Sequence, residues 1–120
     1  GGRKGPNYDA ASVDDAASRL EQAGLPVRIM VDCSHANAGK DPDRQAEVCR
    51  ELGERIAAGE DQIIGLMMES HLLGGRQDLE SGADLTYGQS ITDPCLDWSR
   101  TAELLDELAA NVRQRRQAAA

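Results

Sequence analysis

VRIMVDCSHAN, residues 27–37, and QIIGLMMESHLL, residues 62–73, are the two stretches that decide the fold. Each opens on a short apolar run and ends in a Ser-His pair, Ser34-His35 and Ser70-His71. VRIMVDCS (27–34) is rich in β-branched and apolar residues and lies between Pro26 and a polar loop, which predicts a strand. QIIGLMME (62–69) is apolar on both faces, the pattern of a covered parallel strand.

Helical periodicity surrounds both runs. Residues 10–23 place Val13, Ala16, Ala17 and Leu20 on one face, with Asp9 or Ser12 as the cap and Gly24 and Pro26 as the stop. HANAGKDPD reads as a loop. Residues 43–57 predict a second helix with Ala46, Val48, Cys49, Leu52 and Ile56 largely on one side, ended by Gly59. Residues 70–98 read as a long polar loop containing Gly74, Gly75, Gly82, Gly88 and Pro94, and loops of that length in a small domain are usually functional or disordered. A last helix is expected over about 99–116, capped by Ser99 or Thr101, with Leu104, Leu105, Leu108 and Val112 on one side. The order helix-strand-helix-strand-long loop-helix means α/β with parallel strands. The two Ser-His pairs then sit at the carboxyl ends of neighbouring strands, the edge where ligands bind in open sheets and barrels.

The totals restrict the function. The 120 residues allow one small domain, and 21 acidic against 13 basic residues give a net charge of -8, which disfavours a nucleic-acid partner. Tyr8, Tyr87 and Trp98 are the aromatics, too few for a base-stacking platform. Cys33, Cys49 and Cys95 form no Cys-x-x-Cys and predict buried thiols in a reducing, cytoplasmic setting. No apolar run approaches the roughly 18 residues of a membrane span, so no membrane partner is expected, and no signal peptide is visible. The start GGRKGPNYDA, without an initiator Met, reads as cut from a longer chain.

Residues two apart on a strand share a face, which pairs Cys33 with His35, if the strand continues that far, and Glu69 with His71. Neighbouring strands lie about 4.8 Å apart, so His35 and Glu69 can point into one small volume. Asp78, Glu80, Asp84, Asp93 and Asp97 on the long loop are candidates to complete a ligand set. One imidazole with carboxylates suits a divalent ion such as Mn, Fe, Co or Zn. The competing explanation is plain solvation of polar strand ends. For Arg113, Arg115 and Arg116 it is solvation of a helix end, where cations also suit the helix dipole.

GPNY at 5–8, DCSHAN at 32–37, MESHL at 68–72, LESG at 79–82 and YGQSITDPC at 87–95 occur in an order and at separations that carry a resemblance. Over essentially all 120 residues the chain resembles the carboxy-terminal part of the feedback-regulated microbial type of 3-deoxy-D-arabino-heptulosonate 7-phosphate (DAHP) synthase. The resemblance implies a (β/α)8 barrel that condenses phosphoenolpyruvate with erythrose 4-phosphate, the first step of the shikimate pathway toward aromatic amino acids. It also implies a divalent metal. The family's Asp-x-Ser-His-x-Asn motif places its histidine ligand, a catalytic residue, on His35. Its Glu-Ser-His motif places a glutamate ligand on Glu69, and its Ser-Ile-Thr-Asp motif places an aspartate ligand on Asp93.

The same resemblance implies what these residues do not supply. The family's fourth metal ligand is a cysteine from an earlier strand, at a different place from Cys33. Most of its phosphate-binding cations also come from earlier strands, and its arginine before the Gly-Gly pair would fall one residue before Gly1, so Arg3 and Lys4 do not match it. Residues 1–120 are therefore expected to be a single segment, the carboxy-terminal segment of a barrel, unable to close one alone and inactive by itself. Its expected partners are phosphoenolpyruvate, erythrose 4-phosphate and the remaining barrel segment or further copies of itself. The alternative is a non-catalytic, self-associating α/β metal-binding or interaction module. A flavodoxin-like domain would need more strands and a phosphate loop after the first. Asp32, Asn37 and His71 belong to the matched motifs, and structural hydrogen bonding explains them equally well.

Overall fold

The two apolar runs pair as the parallel strands β1 (Ile29–Asp32) and β2 (Ile63–Met67). Ile29 is opposite Ile63, Met30 opposite Gly65, Val31 opposite Leu66 and Asp32 opposite Met67, with one irregularity between Ile29 and Met30. The computed structural model describes residues 1–80 and 84–120. Ser81 and Gly82, the second half of LESG and one of the loop glycines, lie outside the described residues together with Ala83.

Among the described residues four helices accompany the strands. Helix α1 (Ala10–Gln22) is capped by Asp9, whose carboxylate accepts from the Ser12 N–H at 3.0 Å, satisfying one of the orphan donors of the first turn. The short α2 (His35–Ala38) occupies the start of the expected HANAGKDPD loop. Helix α3 (Pro42–Ala57) begins one residue earlier than expected: Asp41 caps it, and Pro42 fits the first turn, where its missing N–H costs nothing. Helix α4 (Trp98–Ala118) is capped by Asp97, whose side chain accepts from the Arg100 N–H at 2.8 Å, and not by Ser99 or Thr101. Thr101 is instead buried in the first turn, its hydroxyl 2.6 Å from that of Ser70.

The core lies between one face of the sheet and α3 and α4. Val31, Cys33 and Ile63 meet Ala46, Val48, Cys49, Leu52 and Ile56 of α3 and Leu104 of α4. Burying each large aliphatic side chain contributes about 1.5–3 kcal/mol. The opposite sheet face is open: Met30 is 65% exposed and Ile64 61%. Among the described residues no helix is long and apolar enough to cross a membrane.

Residues 70–97 contain no regular element among those described, so the expected loop ends one residue early, where α4 begins at Trp98, but they are not loose. The segment doubles back, with backbone bridges of Ser70 with Leu96, Gly75 with Cys95 and Arg76 with Ser90. The Gly75 N–H donates to the Cys95 carbonyl at 2.8 Å, and the reverse bond is 3.1 Å. Leu96 is buried beneath this turn. The return path brings Asp93 back to the carboxyl ends of β1 and β2.

Strand β1 stops at Asp32 and does not reach His35, which corrects the period-two argument. Cys33 is fully buried in the core, whereas the His35 side chain is 42% exposed. His35 has a left-handed backbone (φ 49°), followed by Gly39 and Lys40 at φ 60°. Glycine takes that conformation freely, and histidine is among the residues enriched there. The chain therefore turns sharply off the strand, and this turn, not pleat alternation, aims the imidazole.

Candidate metal centre

Asp32, at the end of β1, organises the turn. Its Oδ1 accepts from the Ser34 N–H at 2.7 Å and from the Ser34 hydroxyl at 2.7 Å, and its Oδ2 lies 2.8 Å from His35 Nδ1. The Ser34 Oγ also lies 2.8 Å from Nδ1. Partial burial would raise the Asp32 pKa, but the hydrogen bonds from Ser34 and His35 together hold it below its ordinary value. A carboxylate against Nδ1 places the ring proton there and leaves the Nε2 lone pair free.

That Nε2 faces two more acceptors. Glu69 Oε1 is 3.3 Å away and Asp93 Oδ2 is 3.5 Å away. One ligand atom from each of the three residues lies within 4.8 Å of the others. Three electron-rich atoms gathered in this way repel each other unless a cation or a proton lies among them. The His35 pKa is accordingly raised, first by the hydrogen bond to Asp32, against opposing partial burial, and further by the charges of Glu69, Asp32 and Asp93. Imidazole with two carboxylates is also a donor set for a divalent transition ion, so these residues fit such a group.

The neighbouring residues fix the carboxylates. Lys40 Nζ is 3.0 Å from the outer oxygen of Asp93, and this bond holds the Asp93 carboxyl below the usual range. Gln45 of α3 bonds the backbone of Glu69. Asn37 is buried: its Nδ2 donates to the Asp32 carbonyl at 2.7 Å and its Oδ1 accepts from the Asn7 N–H at 2.8 Å. These bonds tie the GPNY stretch to the site.

The structure thus gathers His35, Glu69 and Asp93 and leaves the other candidates apart. Asp97 caps α4, Asp78 pairs with Arg76 at 2.6 Å, and Glu80 and Asp84 are solvent-exposed. His71 shares no cluster with Glu69; its exposed ring accepts from the Leu72 N–H at 2.8 Å. Substituting His71 with Ala should leave Mn2+ affinity within about twofold of the wild-type chain in calorimetric titration, as surface changes usually cost under 0.5 kcal/mol. A larger loss would bring His71 into the centre. The three cysteines are free and buried, and burial first of all pushes the Cys95 thiol up.

Lys40 and Gln45 are the two site residues the sequence pattern did not single out. Lys40 gives no periodic signal. Gln45 does: it stands three and four residues before Val48 and Cys49, a polar residue on the apolar face of α3.

A profile of the DAHP synthetase I family matches residues 1–106. A phospho-2-dehydro-3-deoxyheptonate aldolase of Corynebacterium glutamicum is 50% identical over 99% of this chain and 34% of its own length. The Phe-sensitive phospho-2-dehydro-3-deoxyheptonate aldolase of Escherichia coli K12 is 50% identical over 96% of this chain and 33% of its own. The solved structure of the Francisella tularensis SCHU S4 phospho-2-dehydro-3-deoxyheptonate aldolase superposes with a TM-score of 0.89 at 40% identity, over 96% of this chain and 33% of that one. The chain therefore spans about a third of the length of the curated relatives it matches.

Proposed function

The chain belongs to the DAHP synthetase I family, and on that premise we propose that it is the carboxy-terminal segment of a (β/α)8 barrel condensing phosphoenolpyruvate with erythrose 4-phosphate. The observation that carries the reading is the convergence of His35, Glu69 and Asp93 at the carboxyl ends of two parallel strands. That edge is where barrel enzymes build their sites. The three residues would hold Mn, Fe, Co or Zn. An ion bound there would supply Lewis acidity toward a substrate carbonyl oxygen.

The chain's own residues prepare the site. Asp32, 2.8 Å from His35 Nδ1, favours the proton there and turns Nε2 toward the carboxylates, which supports the reading of His35 as the catalytic residue of this segment. Lys40 takes the outer oxygen of Asp93 and leaves the inner one facing His35. One ammonium paired to the cluster does not match two substrate phosphates and a carboxylate, which call for several cations. The 120-residue chain is accordingly expected to be inactive alone, with the rest of the barrel as its partner. Three free cysteines support a reducing, cytoplasmic location.

The test is a chimera in which this chain replaces the matching third of the C. glutamicum relative. Loss of phosphoenolpyruvate with erythrose 4-phosphate and Mn2+ is expected from the chimera and not from the chain alone. A folded but inactive chimera would sink the proposal, and turnover by the chain alone would refute the expected inactivity. Exposed Met30 and Ile64 favour a second reading, a non-catalytic module that self-associates through this face. A strictly monomeric chain in sedimentation removes it.

A further inference from the structure

Glu69 lies two residues beyond the end of β2 at Met67, where the ladder with β1 no longer holds it: the last rung is the Cys33 N–H to the Met67 carbonyl at 2.9 Å. Gln45 takes over. It sits in the first helical turns of α3, anchored through its N–H to the Asp41 carbonyl at 2.9 Å, and its side chain is buried to 1% exposure. The Glu69 N–H donates to Gln45 Oε1 at 2.6 Å, and Gln45 Nε2 donates to the Glu69 carbonyl at 3.4 Å. That carbonyl also accepts the Leu96 N–H at 3.0 Å. The two partners fix which end of the amide is oxygen, because the backbone N–H needs an acceptor and the carbonyl a donor.

A side-chain amide that bonds both the N–H and the C=O of one residue acts as a neighbouring strand would. A buried amide in an apolar helix face weakens core packing unless its hydrogen bonds serve an end. Here they hold the backbone of the one residue that presents a carboxylate to His35 Nε2 from β2's end. We infer that Gln45 is a positioning residue of the metal centre, fixing the Glu69 backbone so that its carboxylate meets His35 and Asp93. The inference rests on the metal reading of the site.

The test compares Mn2+ binding to the wild-type chain and to Gln45→Met, by calorimetric titration and by the Mn2+-induced rise in melting temperature. Partners that orient a metal ligand typically matter by about 10–100-fold in metal affinity, and a loss of that size is expected with the variant still folded by circular dichroism. A variant that melts lower without metal yet binds Mn2+ as tightly as the wild type makes Gln45 a purely structural residue and overturns the inference. Should Gln45→Met not fold, Zn2+ titration of the 15N-labelled wild type decides. The Gln45 side-chain amide and the Glu69 backbone amide are expected to shift along one saturation curve, and an unmoved Gln45 signal overturns the inference. Absence of any Mn2+ or Zn2+ binding by the wild type overturns the metal reading and this inference together; binding by the wild type with an unaffected Gln45 overturns this inference alone.

Discussion

Replacing His35 with Ala is expected to weaken Mn2+ binding more than about 100-fold, beyond the roughly 10–100-fold that loss of a supporting partner costs. His35 is the central member of the cluster, within 3.5 Å of both carboxylates, and Asp32 reaches the centre only through its ring. Its removal leaves two like charges facing each other without the neutral nitrogen that completes a transition-metal set. The melting temperature of the metal-free chain should change little, because the imidazole side chain is 42% exposed. Calorimetric titration at pH 7.5 with circular dichroism as the folding control separates the two effects. Unchanged Mn2+ affinity in a folded His35→Ala chain would remove the metal from this site.

Truncating Leu52 to Ala is expected to cost about 2–5 kcal/mol of unfolding free energy, a large share of the roughly 5–15 kcal/mol that a domain possesses. Leu52 is 0% exposed and lies where α3 meets the sheet and α4. The cavity is enclosed by elements that cannot collapse independently, so transfer and cavity terms both apply. Leu25, exposed three residues beyond the end of the first helix, is the control, and Leu25→Ala should stay within about 0.5 kcal/mol. Urea titration monitored by circular dichroism reads both. A Leu52→Ala cost under 1 kcal/mol would mean that this core is not what holds the chain together.

These two residues also show what each level of description supplies. Leu52 was legible as core because its spacing to Cys49 and Ile56 follows the helical period. The Ser-His pairs were legible as lying at strand ends because apolar runs of strand length precede them. For the site, the sequence supplied the residue types and the family motifs, but its geometric argument aimed His35 by pleat alternation. The structure aims it instead by a left-handed turn braced by Asp32 and Ser34. A period-two pattern carries no information once the strand has ended.

By itself the sequence determined the α/β order and the helical core face of α3, because these depend on local periodicity. Periodicity and spacing left five loop acids open and the family motif singled out Asp93; the tertiary structure decided that Asp93 is the one brought to His35. That choice depends on where residues 70–98 turn back, and the turn is fixed by backbone bonds between Gly75 and Cys95, residues far apart in the chain. It likewise decided the partners of Lys40 and Gln45, whose bonds to Asp93 and Glu69 span segments with no sequence relation to one another. Such contacts are set by the packing of α3 against the strand ends, and a linear pattern does not encode distance across a fold.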